Sequence, residues 1–526
     1  MSLATVAKAV PVEEPKDETE ELGKKIKEFI KETHSEELVV TLCGFIGTEI
    51  HKVAGRLKYI LESSFEYKTE IIELSQYIKQ YSAIAAGLNK DITSRFDYLR
   101  NLIGEGNVLR NKYGLSVLAE LAIQKIIFDR KNVKEQQGDE RFKSIRRCYI
   151  IDSLKNQEEL ELFRLVYRDI HYSIGVFSSL DMRRKTLSGD NMKDEEIDGL
   201  IDRDSGEEIE HGQQVRETFT QSDFFLRLDS YSSDELDSRL ERFLHLIFGS
   251  KVITPTIEET AMYQASSAAG NSACLSRQVG AALTDKAGDL LSIGWNDVPS
   301  FGGGLYQADF SDPLGKKDNR CFNIGKGCWN DKEKNLMAAE LVNVLIDEGL
   351  ITKDKRPEAL EKIKNSKIKG LLEFSRAIHA EMHAIINGCQ TAGERVKGGM
   401  LFVTTYPCHN CARHIIVSGI TKVYYIEPYR KSLSIKLHND AISEDEREKE
   451  KVLILMYDGV SPSKYLQLFR TFKMPRKDTK GSGEPIQYDL KKVRPKAMPS
   501  LEAIPILEFK VSELLKKKGL EIKNES

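Results

Sequence analysis

One histidine, one glutamate and two cysteines fall close together in "FSRAIHAEMHAIINGC" and "LFVTTYPCHNCARHIIVSG". Cys408 and Cys411 are separated by two residues, so at the opening of a helix they share one face, and Pro407 before them suits a first turn. A helix N-terminus favours negative charge and therefore the thiolates that bind metal. Two thiolates suit zinc, and His379 supplies a third ligand of matching softness. Three protein ligands leave one corner of the tetrahedron open, which marks catalysis. Glu381 lies two residues beyond His379, and residues two apart on a regular helix point nearly opposite ways. Both face one cavity if His379 stands just ahead of the first turn, so a helix is expected to begin within "HAEMHAII".

Zinc brings its water toward neutral pKa, and a carboxylate beside it can take the water proton and return it to a leaving nitrogen. The set suits hydrolytic deamination, with Zn2+ as cofactor, His379, Cys408 and Cys411 as ligands and Glu381 as catalytic acid and base. The competing reading is a structural zinc site closed by a fourth ligand, with His383, His409, Cys389 and His414 as candidates. It leaves Glu381 without a task.

At 526 residues the chain is expected to hold two globular units plus accessory segments. The 78 basic and 81 acidic residues nearly cancel, which supplies no general field for a polynucleotide backbone. Eight cysteines without dense even spacing point to a reducing compartment, so a cytoplasmic protein is expected. No run approaches the roughly 18 apolar residues of a membrane span, and the opening residues lack the apolar core of a secretion signal.

Residues 1–36 are rich in Glu, Lys, Pro and Thr and read as a mobile arm. From "ELVVTLCGF" onward, apolar runs ("YKTEIIELS", "RRCYIIDSL", "YSIGVFSSL") alternate with helical stretches, which predicts a parallel α/β unit over 37–250. The charged stretch "DMRRKTLSGDNMKDEEIDGLIDRDSGEE" reads as helix and solvated connection. A second unit over 251–475 predicts a helix, a strand pair through "GDLLSIGWNDVP", a long insertion over 297–372, and then strands "GMLFVTTY", "KVYYIEPY" and "EKVLILMYDGV" around the two motif helices. That order predicts a three-layer α/β/α domain. Residues 476–526 form a polar C-terminal extension.

The second unit resembles the deoxycytidylate deaminase branch of the cytidine deaminase superfamily. H-x-E followed by P-C-x-x-C is the zinc deaminase signature. "CLSRQVGAAL" resembles that branch's Cys-x-x-Arg-x-Val-Gly-Ala stretch, and "SIGWNDVP" its Gly-Tyr/Trp-Asn-x-x-Pro loop. The resemblance implies that Asn296 holds sugar or base, that Arg277 lies near phosphate, and that Ala380 borders the substrate. Where the family has Asn after "HAE-x", this chain has His383.

With its N-terminal unit, and through "YIIDSLKNQEELELFRLVY", "EHGQQVRETFTQSDFFL" and "YYIEPYRKSLSIKLHNDAI", the chain resembles bacterial anti-phage dCTP deaminases, in which a P-loop nucleotide-kinase-like domain precedes the deaminase. The resemblance implies free deoxycytidine nucleotides as substrates, a homo-oligomer, and an RNA or nucleotide regulator. The P-loop is degenerate. "GFIGTEIH" keeps Gly44, Gly47 and Thr48 as candidate nucleotide contacts, but Glu49, Ile50 and His51 replace the second motif Gly, the Lys and the hydroxyl residue, and Lys52 is displaced. ATP hydrolysis is not expected there. Asp152 reads equally as a Walker B acid or a strand-end cap. Cys321 and Cys328 read as loop thiols or as a metal or redox pair, and Lys431, Lys436 and His438 as a triphosphate contact or a solvated face. Two other functions compete: deamination of a polynucleotide or tRNA base, and a nucleotide- or RNA-sensing regulator on a deaminase scaffold.

Overall fold

A computed structural model describes residues 35–82, 94–137, 145–189, 192–204, 213–229, 232–429, 432–470, 476–477, 484–498 and 503–519. The expected arm lies outside the described residues except for Ser35 and Glu36, and Ser35 is buried. Two six-stranded sheets organise the chain.

The N-terminal sheet contains β1 (Leu38–Gly44), β2 (Lys68–Glu73), β3 (Arg147–Leu154), β4 (His171–Phe177) and β5 (Phe224–Arg227), all paired in parallel in the order β5-β4-β1-β3-β2. The β-branched and apolar runs of β1 and β3 are fully covered because helices pack on both faces. Along β1, Leu38, Val40 and Leu42 enter one core cluster while Val39 enters the other, the period-two alternation of a strand.

The C-terminal sheet is built from β6 (Gly280–Thr284), β7 (Leu290–Trp295), β8 (Met400–Thr405), β9 (Lys422–Glu427), β10 (Ile442–Ser443) and β11 (Val452–Met456), in the order β10-β11-β9-β8-β6-β7. β6 is antiparallel to β7 and β8, and the others run parallel. The helices Ile257–Ala269 and Ala380–Ala392 cover opposite faces. A β-carbon on Gly280 would meet the Ala265 carbonyl at 1.9 Å, and one on Gly294 the Ala380 carbonyl at 2.4 Å. Gly280 pairs with Trp295 and Ala281 with Gly294, so the two glycines point to opposite sides of the sheet. The expected three layers are present here.

The N-terminal sheet departs from the purely parallel expectation. β12 (Gly459–Val460), which follows the deaminase-side strands, joins its edge antiparallel to β5. Leu468, Phe469 and Val493 continue into that unit's core, and the helix Ala503–Lys517 packs against the helix Val117–Gln137, with Lys518 reaching Glu120 at 2.7 Å. The stretch around 180–204 is helical as expected but is not solvated throughout. It forms the helices Leu180–Ser188 and Asp194–Asp204, and Leu187, Ile197, Leu200 and Ile201 are buried together with Ile103. The two units also share apolar core, since Phe45, Phe219 and Phe225 cluster with Met456 and Tyr457.

Candidate active site

His379 and Cys408 each occupy the residue just before a helix, with extended backbones (ψ 154° and 167°). Their carbonyls accept the first helical hydrogen bonds, from His383 N at 3.0 Å and Ala412 N at 2.9 Å. This is the placement the motif spacing predicts. It turns the His379 ring toward Cys408 and Cys411 while Glu381, in the first turn, remains on the same side. His379 Nδ1 lies 3.2 Å from Cys411 Sγ and 3.4 Å from Cys408 Sγ.

The three ligand atoms fall within 4.8 Å of one another, forming the one metal-capable group among the described residues. A tetrahedral zinc at ordinary Zn–N and Zn–S lengths needs such atoms about 3.5 Å apart, so the residues fit the ion. None of the four candidate closing ligands joins them. His383 Nδ1 accepts from Trp295 N at 3.2 Å, His414 Nδ1 lies 2.7 Å from the Asn410 carbonyl, His409 Nε2 lies 3.9 Å from Glu373 Oε1, and Cys389 is exposed. A zinc ion held by these three residues would have its fourth position available to water or substrate.

The donor set shares protons in a way that suits a cation. The Cys411 hydrogen bond brings the Cys408 thiol down to about 4, and the His379–Cys408 hydrogen bond brings the imidazole up to about 9. Burial pushes the Cys411 thiol well above the usual thiol range and also raises the Glu381 carboxyl. A divalent ion between the sulfurs would hold both as thiolates.

A cavity of about 290 Å³ opens onto this group, with His379, Ala380, Glu381 and Cys408 among its walls. Asn296 and Arg277 line it too. Asn296 is clamped: its Oδ1 accepts from Val279 N at 2.7 Å and its Nδ2 donates to the Arg277 carbonyl at 2.8 Å. One amide hydrogen and one lone pair remain for a ligand. Arg277 is half exposed and pairs with Glu427 at 2.9 Å. Ala380 is buried against Gly294. His383 lies edge-on to Trp295, with ring centroids 4.7 Å apart, so in this chain the position fixes β7 to the motif helix.

Cys321 and Cys328 line the cavity as free thiols, Cys328 Sγ 3.5 Å from Ser276 Oγ. Lys431 lies outside the described residues, and neither Lys436 nor His438 lines the cavity. Two residues that sequence reasoning missed do line it. Asp297 is buried, accepting from Ala273 N at 2.9 Å and pairing with Arg320 at 3.3 Å. Arg376 has a buried Nη1 without a partner among the described residues. Its position three residues ahead of His379 was the available signal.

Gly47 and Thr48 line a separate cavity of about 490 Å³ in the N-terminal unit, whereas Gly44 is not one of its walls. Gly47 has φ +82°, and the Gly44 carbonyl accepts from Lys155 Nζ at 2.7 Å. Lys155 also pairs with Asp204 at 2.9 Å, and Asp204 accepts from Ile46 N at 2.6 Å, so a carboxylate of the chain takes up a loop amide. His51 Nδ1 is 2.5 Å from Asp152 Oδ2, which holds the imidazole above its usual range.

Residues 255–427 match the family described as "Cytidine and deoxycytidylate deaminase zinc-binding region". ComE operon protein 2 of Bacillus subtilis is 46% identical over 56 residues, which span 11% of this chain and 29% of that protein. Deoxycytidylate deaminase of Enterobacteria phage T4 is 27% identical over 173 residues, 31% of this chain and 72% of that protein. A solved structure of dCMP deaminase from the cyanophage S-TIM5 with dCMP and dUMP aligns over 39% of this chain and 99% of its own, at 20% identity and a TM-score of 0.23. No helix among the described residues is long and apolar enough to cross a membrane. The C-terminal unit of this chain therefore carries a zinc-binding domain of the cytidine and deoxycytidylate deaminases, with His379, Cys408 and Cys411 as its ligand cluster.

Proposed function

We propose that this chain hydrolyses the exocyclic C–N bond of cytosine in free deoxycytidine nucleotides, converting dCTP and dCMP to dUTP and dUMP with release of ammonia. The observation that carries the reading is the three-ligand group with Glu381 beside it on the wall of one cavity. Zinc held there supplies an acidified water and a positive charge. Glu381 takes a proton from water at a carboxylate oxygen and delivers it to the departing nitrogen. Its burial favours the protonated form, which suits the delivering step. Asn296, fixed by two backbone contacts, offers its free amide hydrogen and lone pair to sugar or base. Arg277 at the rim meets phosphate. A cavity of about 290 Å³ is of the size that takes one small ligand.

The cellular role we attach is depletion of dCTP during phage infection, and it rests on the sequence resemblance. We read the N-terminal unit as a degenerate P-loop regulatory domain. In support, Asp204 and the His51–Asp152 pair take up groups that a phosphate and a magnesium ion would use. The test is to incubate purified full-length protein separately with deoxycytidine, dCMP, dCTP and a cytosine oligonucleotide, following uracil products by chromatography. Uracil-nucleotide formation that is lost in Glu381→Ala is expected. Turnover of the oligonucleotide alone would contradict the reading. Phage plating on cells carrying either form tests the cellular role, and equal protection by both would refute it.

A further inference from the structure

A second guanidinium stands behind Arg277. Glu427, the last residue of β9, pairs through the same Oε1 with Arg277 Nη1 at 2.9 Å and with Arg216 Nη2 at 2.8 Å. Its Oε2 accepts from Thr405 Oγ1 at 3.1 Å. Arg277 and Thr405 are walls of the deaminase cavity. Arg216 comes from the other unit, on the helix Val215–Thr220. That helix is anchored, because Val215 and Phe219 are fully buried in the apolar cluster the two units share.

Two guanidinium charges on one carboxylate leave a net positive charge, whereas Arg277 and Glu427 alone would be neutral. The excess charge sits at the cavity's edge, because Arg277 is one of its walls and Arg216 shares the same Glu427 oxygen. Arg216 Nε is buried and has no hydrogen-bond partner among the described residues, so the group retains unused donor capacity.

We propose that Arg216 completes the phosphate end of the deaminase site, so that recognition of a cytosine nucleotide's phosphate depends on the N-terminal unit. Arg216 is a positioning residue that acts through Glu427. With Arg216 in place, Glu427 is shared and Arg277 keeps charge and donors for a phosphate oxygen. Without it, Glu427 neutralises Arg277 and repels the phosphate at short range. The inference rests on nucleotides being the ligands of the cavity.

The test is calorimetric binding of deoxycytidine, dCMP and dCTP to zinc-loaded full-length protein in a Glu381→Gln background, which prevents turnover. Phosphorylated ligands are expected to bind more tightly than deoxycytidine. Arg216→Ala should shrink that gain by about tenfold, the scale of one charged hydrogen bond. Arg216→Lys should restore much of it, and Arg216→Ala with Glu427→Gln should recover it because no carboxylate remains to neutralise Arg277. A gain unchanged in Arg216→Ala, no gain from phosphate at all, or no recovery in the double variant each overturns the proposal. If the gain depends on Arg216 but Glu381-intact protein forms no uracil nucleotide, the proposed reaction fails and the phosphate site stands.

Discussion

Replacing Gly294 with alanine tests how tightly the reacting groups are held. A β-carbon at this position would stand 2.4 Å from the Ala380 carbonyl oxygen and 2.4 Å from the Ala384 nitrogen. Both are backbone atoms of the helix that opens at His379 and carries Glu381, and neither can swing aside. Ordinary contact begins at 3.4 Å. Strand and helix must therefore separate by about 1 Å, a displacement that costs on the order of 100-fold in rate when it reaches reacting groups. Cys408 and Cys411 sit on a different helix, so the shift moves His379 and Glu381 against them. Overpacking of this kind costs about 1–3 kcal/mol of stability. The expected protein is folded, with a lower Tm and reduced zinc content by mass spectrometry. Its kcat for dCMP should fall by about two orders of magnitude. Gly55 is a control, since nothing lies within 4 Å of a β-carbon there, and alanine in that helix should leave kcat unaltered and raise stability slightly. A Gly294→Ala enzyme within about threefold of the natural kcat would refute the claim that this approach sets the site's geometry.

Glu381→Gln should lower kcat by about 100-fold to 10,000-fold with zinc retained, and loss of the metal along with activity would instead make Glu381 a ligand. Cys408→Ser, or a chelator on the natural protein, should remove both zinc and product formation, and added zinc should rescue only the chelated sample. Arg130 is buried between Glu37 and Glu508, so Glu37→Ala should destabilise the chain by about 3 kcal/mol in denaturant melts, and a change under about 0.5 kcal/mol would count against that pairing. Burial brings the His245 imidazole down to about 4, so below pH ~6.5 the unfolded chain binds a proton that the folded chain refuses and stability falls as pH drops. His245→Gln should therefore lose less stability than the natural protein between pH 7.5 and 5, and an equal loss would contradict this assignment.

The metal cluster was legible because its spacing is local. A His just ahead of one helix and a Cys-x-x-Cys opening another need only the helix geometry that the motifs themselves specify. The strands from β1 to β4 and β8, β9 and β11 were legible as β-branched or apolar runs. β5 was not, because it has four residues and its two pairings lie far away in sequence, with β4 and β12. β12 has two residues and carries no pattern at all. The charged stretch around 180–204 read as solvated because its five buried apolar residues are diluted by acids and bases, most of which remain outside. Contacts such as Arg216–Glu427 join residues 211 apart, and neither charge in isolation distinguishes a rim from a surface. His383 shows the same limit. The departure from the family's Asn gave no role for the imidazole, whose Nδ1 accepts from the Trp295 backbone N–H, a partner reachable only after β7 has packed on the motif helix.

X-ray absorption at the zinc edge of the purified full-length protein probes the open corner most directly. One zinc per chain is expected, with two sulfurs, one imidazole nitrogen and one further light-atom ligand that changes when a cytosine nucleotide is added. A shell closed by three or more sulfurs, or a first shell indifferent to the nucleotide, would contradict a catalytic metal centre at His379, Cys408 and Cys411.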